Sequence, residues 1–273
     1  MQIVMVTAIL LYMLAAASFC AYLFFQRNFL QKIGHMLLIA GFICQTVMLG
    51  AEFIRTGHVP ANNLHETLSV VAWALVGSFL ALNIKFRLKI LGAYTAPLAA
   101  FILLAAIQFP REPLQPDNLL KGVWLTVHII AIFIGDAAFA LAAGVGVLYL
   151  LQERNIKGKK RGFFFKRLPS LDLLDTTGHA CIVSGFTMLT IGLIAGMVYA
   201  KILWGHFWSW DPKEVWSAVT WIFYAVLLHE RLAVGWRGRR AAIMALAGFA
   251  VLLFTFFGVN FLLKGHHGQF TQW

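Results

Sequence analysis

The stretch VWLTVHIIAIFIGDAAFALAAGVGVLYLL, residues 123–151, decides the fold. It contains no Lys, Arg or Glu, and its only histidine and carboxylate are His128 and Asp136. A helix needs about 20 apolar residues to cross the hydrocarbon core of a bilayer, and this run exceeds that length. Similar runs occupy the rest of the chain, at about 3–25, 34–53, 67–84, 90–109, 176–203, 214–233 and 241–263. The weakest is the third, where Trp73 and Asn83 interrupt it. The expected fold is an all-α integral membrane protein of eight transmembrane helices, one polytopic domain over residues 1–273. No connecting segment is long enough to hold a core of its own. The run from Ile3 to Phe25 follows no basic leader, so it reads as an uncleaved first helix.

Composition agrees. The chain is 60% hydrophobic and 12% charged, whereas a soluble domain carries roughly 25% charged residues. The net charge of +11 does not point to nucleic acid, because the basic residues sit in short clusters between apolar runs. Arg27, Lys32, Lys85, Arg87, Lys89, the seven from Arg154 to Arg167, and Arg231 to Arg240 fall on one set of loops, 16 of the 22. The opposite set holds Arg55, Arg111, Lys121, Lys201, Lys213 and Lys264. Basic loops stay in the cytoplasm, so both termini and the segments 54–66, 110–122 and 204–213 are expected outside. Cys20, Cys44 and Cys181 lie in apolar runs with no C-x-x-C spacing, which leaves no disulfide framework or zinc motif. Any thiol chemistry must come from a partner.

The external segment 204–214 reads Trp204-Gly205-His206-Phe207-Trp208-Ser209-Trp210-Asp211-Pro212-Lys213-Glu214, and five of the nine tryptophans fall between Trp204 and Trp221. An interfacial aromatic belt accounts for two or three indoles at such a place. Three within seven residues of one loop are better explained as a flat apolar platform for a large planar ligand such as a porphyrin. Asp211, Pro212 and Glu214 have the spacing of N-cap, N1 and N3, so a capping box is the expected role of the two carboxylates.

Among nine histidines, three have positions that suit ligation. His128 lies one turn inside the outer end of its span, and His267 follows the last span by four residues, so both can reach the tryptophan loop. Two neutral imidazoles can hold an iron porphyrin axially. His229, 15 residues after Glu214, lies about 22 Å deeper and belongs to an inner site or to the helix bundle itself. The remaining histidines, and a hydrogen-bonded structural role for any of these three, stay open on position alone. Asp136 has no assigned role.

The segment from Trp204 to Glu214 resembles the tryptophan-rich WWD signature of haem-handling proteins. The chain from Trp124 to His267 resembles the CcsA/ResC family (members are sometimes named CcsB) of System II cytochrome c-type biogenesis. The first 120 residues match mainly in span pattern and in Asn63-Leu64-His65-Glu66. The resemblance implies haem transport and attachment in a bacterial inner membrane, with the WWD loop facing the periplasm. Together with a ResB/CcsB-type membrane subunit, such a protein moves haem b to the outer face and attaches it to the C-x-x-C-H motif of apocytochrome c, served by a thioredoxin-like thiol reductant. It also implies that His128 and His267 are external haem ligands, that His229 is the intramembrane one, and that Trp204, Gly205, Trp208, Trp210 and Asp211 belong to the haem-binding loop. Two positions depart from the pattern. The family tail reads Gly-Leu-His-Ser-Tyr, whereas Gly265-His266-His267-Gly268-Gln269 stands here, and an aromatic residue usually occupies the place of Asp136. A CcmC-type haem-transfer subunit and a HemX-like regulator of haem synthesis are the rival readings.

Overall fold

The computed structural model describes residues 2–110, 122–159 and 167–259. All of the regular structure among them is helical. In chain order the helices are α1 (Gln2–Phe25), α2 (Asn28–Thr56), α3 (Leu64–Phe86), α4 (Gly92–Ala106), α5 (Val123–Lys157), α6 (Leu171–Trp204), α7 (Pro212–His229) and α8 (Arg239–Leu253). A short 3₁₀ turn, Lys89–Leu91, leads into α4, and π turns at Glu230–Val234 and Phe254–Gly258 follow α7 and α8. With those turns counted, all eight are long and apolar enough to cross a membrane. The expected all-α architecture of eight spans is therefore the observed one.

The boundaries differ in an instructive way. Apolar runs mark where a helix is in lipid, whereas caps mark where it begins and ends. Helix α6 starts five residues before its apolar run because the Ser170 hydroxyl accepts from the Leu173 amide at 3.3 Å. Helix α5 continues six residues beyond Leu151 into Gln152–Lys157, where Lys157 pairs with Glu153 at 2.6 Å. The weak third run forms a complete helix, with its N-cap Asn63 accepting from Glu66 N at 2.9 Å. Trp73 fits within it by donating to Thr46 Oγ1 at 2.8 Å and stacking on Phe42 of α2.

Two bodies of packing meet in the bundle. In the first, α1 lies along α2 and α4, and a buried polar chain ties them to α3: Tyr12 donates to Gln45, and Gln45 donates to the Ser69 carbonyl, each at 2.8 Å. In the second, α5 is central and packs on α3, α6 and α8. The α5–α6 contact is the most extensive in the chain and runs backbone against backbone. A Cβ added to Gly135 would sit 3.1 Å from both the Gly185 carbonyl oxygen and the Leu189 nitrogen. Lipid tails are as apolar as the helices, so such close approach supplies dispersion contacts that the hydrophobic effect cannot. Phe139 of α5 stacks on Tyr224 of α7 with centroids 3.6 Å apart, and Trp221 of α7 donates to Thr190 of α6 at 2.8 Å.

Gly135→Ala is expected to destabilise the protein by about 1–3 kcal/mol, as overpacking does. Gly50→Ala, where nothing lies within 4 Å of the new methyl, is expected to stabilise it by about 0.5–1 kcal/mol through helix propensity. Thermal unfolding in detergent checks both signs.

Candidate functional site

At one end of the bundle a cavity of about 380 Å³ opens between α5, α6 and α7, within the range of roughly 300–1,000 Å³ typical of ligand sites. Leu125, Ile129 and Ile132 of α5 and Leu193 and Met197 of α6 form apolar walls. Trp204, Phe207 and Trp208 come from the loop between α6 and α7, Lys213 and Ser217 come from the start of α7, and Ala61 and Thr67 reach in from the segment before α3 and its first turn. Three parts of the chain expected on one side of the membrane thus share one end of the bundle.

His128 lines this cavity. Its ring lies across a groove in α6 made by two glycines one turn apart. Nδ1 is 2.7 Å from the Gly192 carbonyl oxygen, and a methyl group on Gly196 would lie 2.6 Å from the same nitrogen. A carbonyl can only accept, so Nδ1 carries the proton, which in the neutral ring puts the lone pair on Nε2. This arrangement fixes ring orientation and raises the basicity of Nε2.

The tryptophan loop is built by helix-end chemistry. Gly205, at φ 82°, stops α6 by donating to the Lys201 carbonyl, and nothing lies within 4 Å of where its side chain would be. Lys201 turns back, donating to the Gly205 carbonyl at 2.6 Å and lying over the Phe207 ring. At the other end Asp211, 4% exposed, accepts from the Lys213 amide at 2.9 Å, and the capping box is complete. Glu214 extends it. Its carboxylate also accepts from the Ser209 amide at 2.8 Å and the Ser209 hydroxyl at 3.0 Å. Trp210 is held at φ 60°, a left-handed conformation costly for a bulky residue, and its indole is 78% exposed. It meets Trp208 edge to face, with centroids 5.9 Å apart, and is not part of the cavity wall.

The structure therefore joins His128, Trp204 and Trp208 around one space, with Gly205 and Asp211 shaping the loop above it. His229 ends the unbroken α7, about 22 Å from Glu214 along the axis, and its side chain is exposed on the bundle surface. Just beyond it Arg231 grips Asp175 of α6 through two bonds of 3.1 and 2.6 Å, and the same carboxylate accepts from Gly238 N at 2.7 Å. His267 and its neighbour His266 lie outside the described residues. His58 and His65 are buried, with Nδ1 on the carbonyls of Val59 and Ala106, and His206 is exposed in the loop. Among the described residues no group of three or more His, Cys, Asp or Glu side chains could hold a metal ion.

Residues 61–267 match the sequence profile of the family described as Cytochrome C assembly protein. Proteins called "Cytochrome c biogenesis protein CcsA" from Guillardia theta and Synechococcus elongatus are 34% and 32% identical to the chain. These alignments cover 86% and 87% of this chain and 84% and 87% of those proteins. The chain belongs to the CcsA family of cytochrome c biogenesis proteins. It is a multi-pass membrane protein, as the eight spans require. Its fold also resembles that of the cytochrome c haem lyase CcmF, with a TM-score of 0.64 at 15% identity. That likeness covers 98% of this chain, which spans about half (48%) of the length of the lyase.

The family match begins at residue 61, at the edge of the cavity, and takes in His128, the loop and His229. Three contributors escaped sequence reasoning: Gly192, Gly196 and Lys213. The small-xxx-small spacing of the two glycines was a signal for close approach on α6. Nothing in sequence showed that the approaching group would be an imidazole.

Removing Glu214 should free the loop. Glu214→Ala is expected to lower stability by about 1–3 kcal/mol, because three donors lose one acceptor, and to shift the tryptophan emission of the protein. Thermal unfolding and fluorescence in detergent check this.

Proposed function

We propose that this chain binds haem b in the cavity beside His128 and presents it, under the tryptophan loop, for covalent attachment to the C-x-x-C-H motif of apocytochrome c. The observation that carries the reading is the fixed imidazole at an indole-lined cavity: a neutral nitrogen ligand for iron next to apolar faces for the ring. His267 supplies the second axial ligand. Trp210 and the loop edge interact with the incoming apocytochrome. The loop faces the periplasm or cell exterior of a bacterial inner membrane, because the opposite loops carry most of the Lys and Arg.

Each thioether forms by addition of a cysteine S–H across a haem vinyl C=C, so no oxidant is consumed and the cysteines must arrive reduced. A thioredoxin-like reductant meets that need. The chain's share is to bind and orient, which lowers the barrier by placing thiols and vinyls together. Exposed on α7 at the far end of the bundle, His229 suits an inner haem site completed by a ResB/CcsB-type subunit, from which haem passes outward.

The test is to purify the complex after replacing His128 or His267 with Gly, and to read haem content and the absorption spectrum. Loss of haem or a changed spectrum in both variants is expected, and unchanged spectra in both would reject axial ligation here. Gly196→Leu should reproduce the effect of His128→Gly without altering the imidazole itself, since the new side chain takes the place of the ring. Formation of covalent holocytochrome on co-expression with a ResB-type partner and a C-x-x-C-H reporter distinguishes this function from haem transfer without attachment and from regulation of haem synthesis.

A further inference from the structure

Within the cavity, the groups that can meet an anion are few. Glu214 is committed to its own loop through Ser209 and Asp211. His128 Nδ1 is committed to Gly192. The indoles, Tyr199 and the hydroxyls of Thr67 and Ser217 carry no charge. Lys213 is the one cation among the lining residues. It stands at the second position of α7, where Lys is unfavourable beside the positive end of the helix dipole. Among the described residues its ammonium forms no ion pair within 4 Å and no side-chain hydrogen bond, while its backbone amide caps onto Asp211. A cation half-buried in an apolar cavity, placed against the local dipole and left without a contact partner, is a costly arrangement that a ligand's charge would relieve.

Two carboxylates bear on the same ammonium. Asp211 acts electrostatically on Lys213, and Asp136, in the middle of α5, does so less strongly. Asp136 is a carboxylate in a transmembrane helix, which by itself calls for a functional partner. Among the described residues neither carboxylate reaches the ammonium within 4 Å, so neither takes the contact position that a ligand's carboxylate would occupy.

We propose that Lys213 is the carboxylate-binding residue of the cavity. It receives a propionate of the porphyrin. This rests on the haem reading above and deepens it: His128 holds the metal, and Lys213 sets which edge of the ring faces inward, so that the vinyl edge faces the loop. Carboxylate orientation, not iron ligation alone, then decides which porphyrin edge the apocytochrome meets.

The experiment compares haemin with haemin dimethyl ester, in which both propionates are neutral, as ligands of the purified full-length chain in detergent. Wild-type protein is expected to bind haemin about tenfold more tightly, the value of one charge-assisted hydrogen bond. Lys213→Gln is expected to bind the two porphyrins about equally, while Lys213→Arg keeps the preference. Equal binding of the two porphyrins by wild-type protein would overturn the inference without any variant, so a poorly folding Lys213→Gln does not protect it. Undiminished preference in a folded Lys213→Gln would overturn it too, yet leave the haem reading intact. Failure of wild-type protein to bind either porphyrin would remove the haem reading and this inference together.

Discussion

The site depends on how closely α5 approaches α6. Gly135 meets the backbone of α6 at Gly185 and Leu189, and one helical stretch further along Gly192 and Gly196 open the groove that receives the His128 ring. If α6 carried side chains at these positions, the helices would stand further apart and the imidazole would have neither its carbonyl partner nor its fixed plane. In lipid, where burying apolar surface gains little, this contact is made by dispersion and shape. The same feature that holds the second half of the bundle together thus positions the imidazole that lines the cavity.

The loop above the cavity follows a related logic. Its two ends are helix ends, so the geometry of the tryptophans is inherited from two caps. Gly205 closes α6 in a left-handed turn, and the Asp211–Glu214 box opens α7. Glu214 reaches back to Ser209 as well, which makes the loop a continuation of the cap. The tryptophans then divide: Trp204 and Trp208 face the cavity, and Trp210, forced outward by its backbone, does not.

Much of this was legible in sequence. The eight apolar runs each became a helix, because twenty apolar residues have few other fates in this chain, and the capping box was readable from Asp211, Pro212 and Glu214 at their spacing. What could not be read was any contact between segments distant in the chain. The carbonyl that orients His128 is 64 residues away from it, and the hydroxyl that accepts from Trp221 belongs to Thr190, on the preceding helix. That Trp210 turns away from the cavity that Trp204 and Trp208 line was not legible either, because linear spacing does not reveal a positive φ. Helix ends were misjudged where they ran past the lipid, as at Lys157, since hydrophobicity marks the solvent and not the hydrogen bonding.

The apolar run of α5, residues 123–151, extends about 43 Å, whereas the hydrocarbon layer is about 30 Å thick. A rod of that excess meets a change in bilayer thickness by leaning. Because α5 is seated on α6 atom against backbone atom, the two lean as one piece, and the imidazole travels with the groove that cradles it. The seat of the imidazole is thereby insulated from the lipid, and a thicker or thinner membrane alters the depth of the pocket without moving the ring from its groove.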